Sequence, residues 1–335
     1  MLKSHLKSFV VALSLLGAAA HADDLKVVKI ATLAPEGSSW MNLFHAWGKA
    51  VEEKSGGKLK LKFYAGGVAG DERDVVRKMR IGQLNGAAVT AIGLGLIQSE
   101  VRVLELPMFI RNNDELDYVR NKLDADFRKK FEDKGYILLG WGDVGPIHIF
   151  SNIPLNTKAD LAQTKLWAWV DDPMVRALFT QLGANGVPLG VPDVLPSLQT
   201  GMINACYGSP LSTVALQWYT KVKYMTSMHI TQAVGATVIT KRDFEKLGPD
   251  LQKILMEESK ALEIKVLKTI REDNGKALAS MKAAGIQVIP SPPGLVADFE
   301  AQAMAIRPKL EPSVYSHEFR TKVEQLVADY RAGKR

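Results

Sequence analysis

The sequence predicts an α/β fold of two lobes with a binding cleft between them, and three observations carry that expectation. Short β-branched or apolar words alternate with amphipathic helical words along most of the chain, the pattern of a sheet covered by helices. A chain of 335 residues is long enough for two hydrophobic cores, and neither a repeat nor a low-complexity tether divides it, so the chain must pass directly from one core to the other. From Pro249 to Ala284 the alternation gives way to one helical run, long enough to bend or to bridge two bodies.

The chain opens with "MLKSHLKSFVVALSLLGAAAHADD", in which Lys3 and Lys7 precede an apolar run from Phe9 to Ala20 that ends at Ala20-His21-Ala22. That run is too short to span a bilayer and stops at a small-x-small site, so residues 1–22 read as a removed secretory signal and the exported chain starts at Asp23. No later stretch approaches transmembrane length, and the exported chain is expected to be soluble. The formal charge of +7 falls to +5 once Lys3 and Lys7 are removed. The excess is scattered, with no block of like charges, which predicts a solvated surface and no nucleic-acid partner.

"LKVVKIATLAP" is β-branched and ends at Pro35, a first strand. "EGSSWMNLFHAWGKAVEEKSGG" then offers capping serines, places Trp40, Leu43, Phe44, Trp47 and Val51 at helical spacing, and stops at Gly56-Gly57. "KLKLKFYAGG" alternates as a strand, "DERDVVRKMRIG" is helical, and "GAAVTA" is a short strand. Further strands are expected at "YILLGWGD", "IHIFSN", "KLWAWV", "VPLG", "MINACYGSP", "KVKYMTSM" and "GATVITK". Helices are expected from about Pro173 to Leu182 and around "VLPSLQTG". Such alternation predicts mainly parallel sheets.

Few chemical motifs survive inspection. "GLG" at Gly93 and Gly95 lacks the rest of a dinucleotide fingerprint, and no GxxxxGK[ST] occurs, so no nucleotide cofactor is expected. His45, His148, His229 and His317 lack zinc-helix spacing, and no metal is expected. The single cysteine, Cys206, sits in apolar "MINACYG" and reads as a buried thiol. Asp171 and Asp172 are adjacent and point apart on a strand, and Asp172 before Pro173 reads as a helix cap. No nucleophile elbow exists, so no catalytic residue and no enzyme activity are expected.

In "KLWAWVDDP", a strand would turn Trp167 and Trp169 to one face. Around it, "LAPEGSSW", "GGVAGDERDVVRKMRIGQLNGAAV", "FSNIPLNTKADLAQTKLWAWV", "LGANGVPLGVPDVLPSLQTGMINACYGSP" and "KVKYMTSMHI" resemble, in order, segments of the DctP-type solute-binding proteins of TRAP transporters. The resemblance covers almost all of the exported chain. It implies a two-lobed periplasmic binding protein fold with a long bridging helix, one lobe of 23–144 plus 234–272 and another of 145–233 plus 273–335. It further implies a periplasmic location, capture of a small organic solute in the cleft, and delivery to TRAP membrane permease subunits. A monomer is expected. A soluble ligand-sensing subunit for a membrane receptor is the alternative.

One departure from the family bears on the ligand. Where acid-binding members carry an arginine that grips the ligand carboxylate, this chain has Trp167, and a second basic position falls at Ile147. The family asparagine before a proline appears as Ser209 before Pro210. Trp167 is therefore expected in the cleft, with its indole N–H free to donate one hydrogen bond, and Trp169 lining the cleft or packed just behind. An aromatic, aliphatic or weakly polar solute fits better than a short dicarboxylate, and a monocarboxylate remains compatible. The alternative is an arginine moved elsewhere, for instance to Arg176. Ser39, Trp40, Glu72, Thr90, Tyr207 and Trp218 complete the expected ligand-binding set.

Overall fold

The computed structural model describes residues 25–334, so the expected signal segment and its cleavage after Ala22 lie outside the described residues. The chain begins β1 (Lys26–Thr32), α1 (Ser39–Lys54), β2 (Leu59–Tyr64), α2 (Glu72–Arg80), β3 (Gly86–Thr90), α3 (Ala91–Ile97), a 3₁₀ segment (Ser99–Glu105) and α4 (Asn113–Asp133). Then come β4 (Tyr136–Ser151), α5 (Lys158–Ala162), β5 (Lys165–Trp169), α6 (Pro173–Gln181), β6 (Asn185–Leu189), α7 (Val194–Thr200), β7 (Ala205–Gly208) and α8 (Pro210–Ala215). It ends β8 (Tyr224–Thr226), β9 (Thr231–Thr240), α9 (Lys241–Glu245), α10 (Pro249–Ala283), β10 (Gln287–Ile289), α11 (Pro293–Ile306) and α12 (His317–Arg331).

Local chemistry starts these helices where the sequence says. The Ser38 hydroxyl accepts from the Met41 amide at 3.3 Å and opens α1. Asp172 accepts from the Met174 and Val175 amides at 3.1 and 3.2 Å, with Pro173 as the first residue of α6.

The sheet order is β2-β1-β3-β9-β4-β7-β5-β6, with β8 beside β4 and β10 beside β8. The outer strands are parallel, as β1 is to β2 and β3, and β5 to β6 and β7. The centre is not. Strand β9 runs antiparallel to β3 and β4, and β4 antiparallel to β7 and β8, so the parallel order expected from the alternation holds at the flanks and fails at the centre. The words expected as separate strands at "YILLGWGD" and "IHIFSN" are one strand, β4. Register shifts between Leu138 and Gly140 and between Asp143 and Gly145 break the alternation that would have revealed its continuity.

Strand β4 therefore serves two halves of the molecule. Residues Tyr136–Ile147 pair with β9, and His148–Ser151 pair with β7. Helix α10 makes a second tie. Its 35 residues extend about 52 Å at 1.5 Å per residue, and they pack on α1 and β4 and then on α8. Leu255, Leu262, Val266 and Ile270 of α10 share an apolar core with Met41, Phe44, Trp47 and Val51 of α1 and with β1 and β2. Helix α12 returns to pack on α4. No helix among the described residues is long and apolar enough to cross a membrane.

At the second register shift Gly145 adopts φ +111°, and a Cβ there would lie 2.5 Å from Asn274 Nδ2. That amide is committed, donating to the Val144 carbonyl at 3.1 Å while its Oδ1 accepts from the Leu211 amide at 3.1 Å. Gly145→Ala is expected to cost about 1–3 kcal/mol, the scale of a strained backbone position plus a displaced buried amide. Urea denaturation should show a lower midpoint, and an unchanged midpoint would mean that the crossover relaxes freely.

Candidate functional site

A cavity of about 190 Å³ lies between the two halves. Its first wall comes from Thr32 at the end of β1 and 33–35 after it, from Trp40 and Phe44 of α1, from Glu72 at the start of α2, and from Thr90 at the end of β3. Its second wall comes from Trp167 and Trp169 of β5, Tyr207 and Gly208 of β7, and Trp218 beyond α8. Strand β4 contributes Trp141 and Ile147 to the wall. Five of the six tryptophans thus meet in one place.

The aromatic side chains are arranged by strand geometry. Alternation along β5 turns Trp167 and Trp169 to the same side, with ring centroids 5.9 Å apart. Tyr207 stacks on Trp167 at 4.6 Å and 18°, and Trp218 meets it edge-on at 5.2 Å and 70°. Trp167 is only 2% exposed, and its indole N–H donates to the Leu189 carbonyl at 3.0 Å. The N–H expected to serve a ligand is therefore already used, because β6 lies alongside β5 and presents that carbonyl. Trp40 spends its own N–H on the Asp143 carbonyl at 3.1 Å.

Glu72 and Thr90 are brought together rather than left free. Glu72 accepts from the Thr90 amide at 2.8 Å, the Thr90 hydroxyl at 2.9 Å and the Gly93 amide at 2.5 Å, tying α2 to the turn into α3. Full burial nevertheless pushes its carboxyl up to about 7. Next to it, Asp71 reaches the other half: it accepts from the Trp169 indole N–H at 2.9 Å and the Val191 amide at 3.3 Å. Gly190 permits this approach, since a Cβ there would sit 2.7 Å from Asp71 Oδ2. Burial raises the Asp71 carboxyl as well. Arg73 on α2 pairs with Asp171, a second bond between the halves.

Of the ten residues expected from sequence, Trp40, Glu72, Thr90, Ile147, Trp167, Trp169, Tyr207 and Trp218 line the cavity. Ser39 does not. It lies one residue inside α1, and its hydroxyl donates to Asp273 of α10 at 2.7 Å. Ser209 is buried away from the wall, where it caps α8 in a reciprocal pair with Ser212. Arg176, the alternative carboxylate partner, is exposed on α6 with Nη1 near the Val170 carbonyl, and it is absent from the wall.

Sequence reasoning missed Arg102 and Glu105 of the 3₁₀ segment, both buried in the wall. Arg102 Nη2 donates to Asp172 at 2.9 Å, and Glu105 accepts from the Val234 amide at 2.9 Å. Their signal was two charges three residues apart inside the otherwise apolar "VRVLELP". Cys206 is buried within β7, and burial pushes its thiol up, away from nucleophilic chemistry.

Two outcomes follow from these contacts. Trp167→Ala should lose about 3–5 kcal/mol of stability, because the ring is enclosed by Tyr207, Trp169 and Trp218. It should also change ligand affinity per folded molecule, and titration of the folded fraction checks that; stability loss with unchanged affinity would make the ring core alone. Asp71→Ala leaves the Trp169 and Val191 N–H groups without their acceptor. It should weaken ligand binding by about 1–3 kcal/mol, measured by calorimetry, while the midpoint of denaturation moves less than for Trp167→Ala.

Residues 30–310 match the family described as "Bacterial extracellular solute-binding protein, family 7". The 2,3-diketo-L-gulonate-binding periplasmic protein YiaO of Escherichia coli (strain K12) is 26% identical over 246 residues, 71% of this chain and 73% of that protein. Among solved structures, the sugar acid binding protein of Advenella mimigardefordensis in complex with galactonate superposes with a TM-score of 0.85 at 18% identity, covering 91% of this chain and 99% of that one. An extracytoplasmic solute receptor of Bordetella pertussis binding pyroglutamic acid gives a TM-score of 0.84 at 18% identity, covering 90% and 99%. With the two-lobed fold, the bridging α10 and the intervening cavity in place, the chain belongs to the DctP family, family 7 of the bacterial extracellular solute-binding proteins, the periplasmic solute-binding components of TRAP transporters.

Proposed function

We propose that this protein captures a small organic acid with an aromatic or otherwise weakly polar body and delivers it to the permease subunits of a TRAP transporter. The observation that carries the reading is the wall itself, in which five tryptophans and Tyr207 surround one cavity; the family resemblance, which puts Trp167 at the position of the arginine of acid-binding members, supports it. A carbohydrate acid needs hydrogen-bond partners for several hydroxyls, and the indole N–H groups of Trp40, Trp167 and Trp169 are already used by the protein. Relatives named for diketo-gulonate, galactonate and pyroglutamic acid support an acid as the general class.

In this reading the described residues of 23–144 plus 234–272 form one lobe and those of 145–233 plus 273–335 the other, except that α12, packed on α4, rides with the first. Closure is rotation about the β4 crossover near Asp143–Gly145 and its neighbour β9, with α10 as the brace. Asp71 and Arg73 are the contacts that closure makes.

Native mass spectrometry of protein drawn from the periplasm without denaturation should show one small organic acid per chain, recovered chemically unchanged. A polyhydroxylated sugar acid in that position overturns the weakly polar reading, and a converted product overturns the receptor role. Small-angle scattering should show a smaller radius of gyration with ligand than without. Equal dimensions would remove the closure step.

A further inference from the structure

Arg102 is the one cationic side chain named in the cavity wall among the described residues, and its bonding is incomplete. It is 3% exposed. Its Nη2 donates to Asp172 Oδ1 at 2.9 Å and lies 3.4 Å from Glu105 Oε2. Its Nε and Nη1, both buried, have no hydrogen-bond partner. A guanidinium stays protonated in proteins, so these N–H groups cannot escape by losing the charge. Leaving them bare in the low-dielectric interior beside the cavity is costly enough that an acceptor is expected to reach them. Strand β9 packs against the same 3₁₀ segment, and its Thr231, also in the cavity wall, carries a buried hydroxyl that likewise lacks a partner.

We infer that Arg102 is the anion anchor of this receptor, its Nε and Nη1 donating to the carboxylate of a one-ring monocarboxylic acid whose ring lies among the tryptophans. The inference rests on the reading that the cavity takes a small acid, and it assigns the anchor to an element remote from Trp167. Size sets the class. An apolar cavity of about 150 Å³ admits a benzene ring, and 190 Å³ therefore takes a ring with a short acid side chain.

Charge sets the second condition, because Arg102 already faces two carboxylates. Asp172 is committed, since it also caps α6 through Met174 and Val175. Glu105 gives way. Beyond Arg102 it holds a single backbone donor, Val234, and burial pushes its carboxyl up to about 7. Tyr207 also stands beside Arg102, and burial keeps it protonated. When the ligand carboxylate arrives, Glu105 takes a proton from solvent, and Arg102 is shared between Asp172 and the ligand.

The test uses the dialysed mature protein with phenylacetate, indole-3-acetate and cyclohexanecarboxylate, each beside its primary amide, followed by calorimetry and tryptophan fluorescence. At least one acid should bind about a hundredfold tighter than its amide, since the amide lacks the charge that a buried guanidinium rewards. Calorimetry at pH 7 in buffers of different ionisation enthalpy should show a fraction of a proton taken up with the acid, and Glu105→Gln should abolish that uptake. Arg102→Lys keeps the charge facing Asp172 and Glu105; it should bind the acid at least about tenfold weaker and the amide nearly unchanged. If Arg102→Lys fails to fold, the ratio of acid to amide on the unsubstituted protein still decides. Acid and amide binding equally, or full acid affinity in Arg102→Lys, overturns the anchor while leaving an apolar solute in the cavity. Binding by neither acids nor amides overturns the anchor and tells against the proposed solute class as well.

Discussion

Asp143 lies where β4 leaves one half of the molecule for the other, and the charges gathered on it anchor that end of the strand to α4 and α10, so that the crossover starts from a fixed point. Arg120 Nη1 donates to its Oδ1 at 2.8 Å and Arg271 Nε to its Oδ2 at 2.6 Å, while Arg271 also forks onto Asp117 with two contacts of 2.7 Å. Arg120 comes from α4 and Arg271 from α10, so three elements meet on one buried carboxylate. Removing one partner of such a cluster would leave uncompensated charge in the interior, which is why the arrangement specifies geometry even where its net stabilisation is small. Two residues further on, Gly145 and Asn274 complete the turn of the strand.

The cavity depends on that crossover for its shape. Trp40 is fixed by the Asp143 carbonyl, and Ile147, four residues after Asp143, stands in the wall. Trp141, two residues before Asp143, is held by Asp124 through its indole N–H at 2.7 Å. A shift of β4 by one residue would move both Trp141 and Ile147 to the opposite face of the sheet. The aromatic wall is thus positioned by backbone register, and the indole N–H groups of Trp40, Trp141, Trp167 and Trp169 donate to backbone carbonyls or carboxylates before any ligand enters.

Polar groups at the cavity fall into two kinds. Glu72, Thr90 and Asp172 in the wall, and Asp71 behind it, are satisfied by N–H and hydroxyl groups of the protein and act as struts. Arg102 and Thr231 are left with unmatched buried atoms, and Glu105 sits beside Arg102 with its carboxyl near neutrality. In a wall that is largely aromatic and aliphatic, unmatched donors direct what the site accepts more strongly than matched ones do.

Local chemistry was legible in the chain. The caps at Ser38 and Asp172, the apolar stripe of α1, the helical run of α10, and the same-face pair Trp167 and Trp169 follow from spacing and side-chain type, because each depends on residues within a few positions. Family membership was legible for a related reason, since several short words kept their order. Three features needed the tertiary structure. The antiparallel centre depends on which strands become neighbours, which apolar content does not encode. Ser39 and Ser209 read as cleft residues until α10 and Ser212 took their hydroxyls. Arg102 meets Asp172, 70 positions away, and Trp167 meets Leu189, 22 positions away. The sequence by itself determined the alternation, the caps, the family and the aromatic face. The tertiary structure decided which donors were used and which were left for a ligand, because satisfaction of a buried polar atom is a property of its neighbours in space and not of its place in the chain.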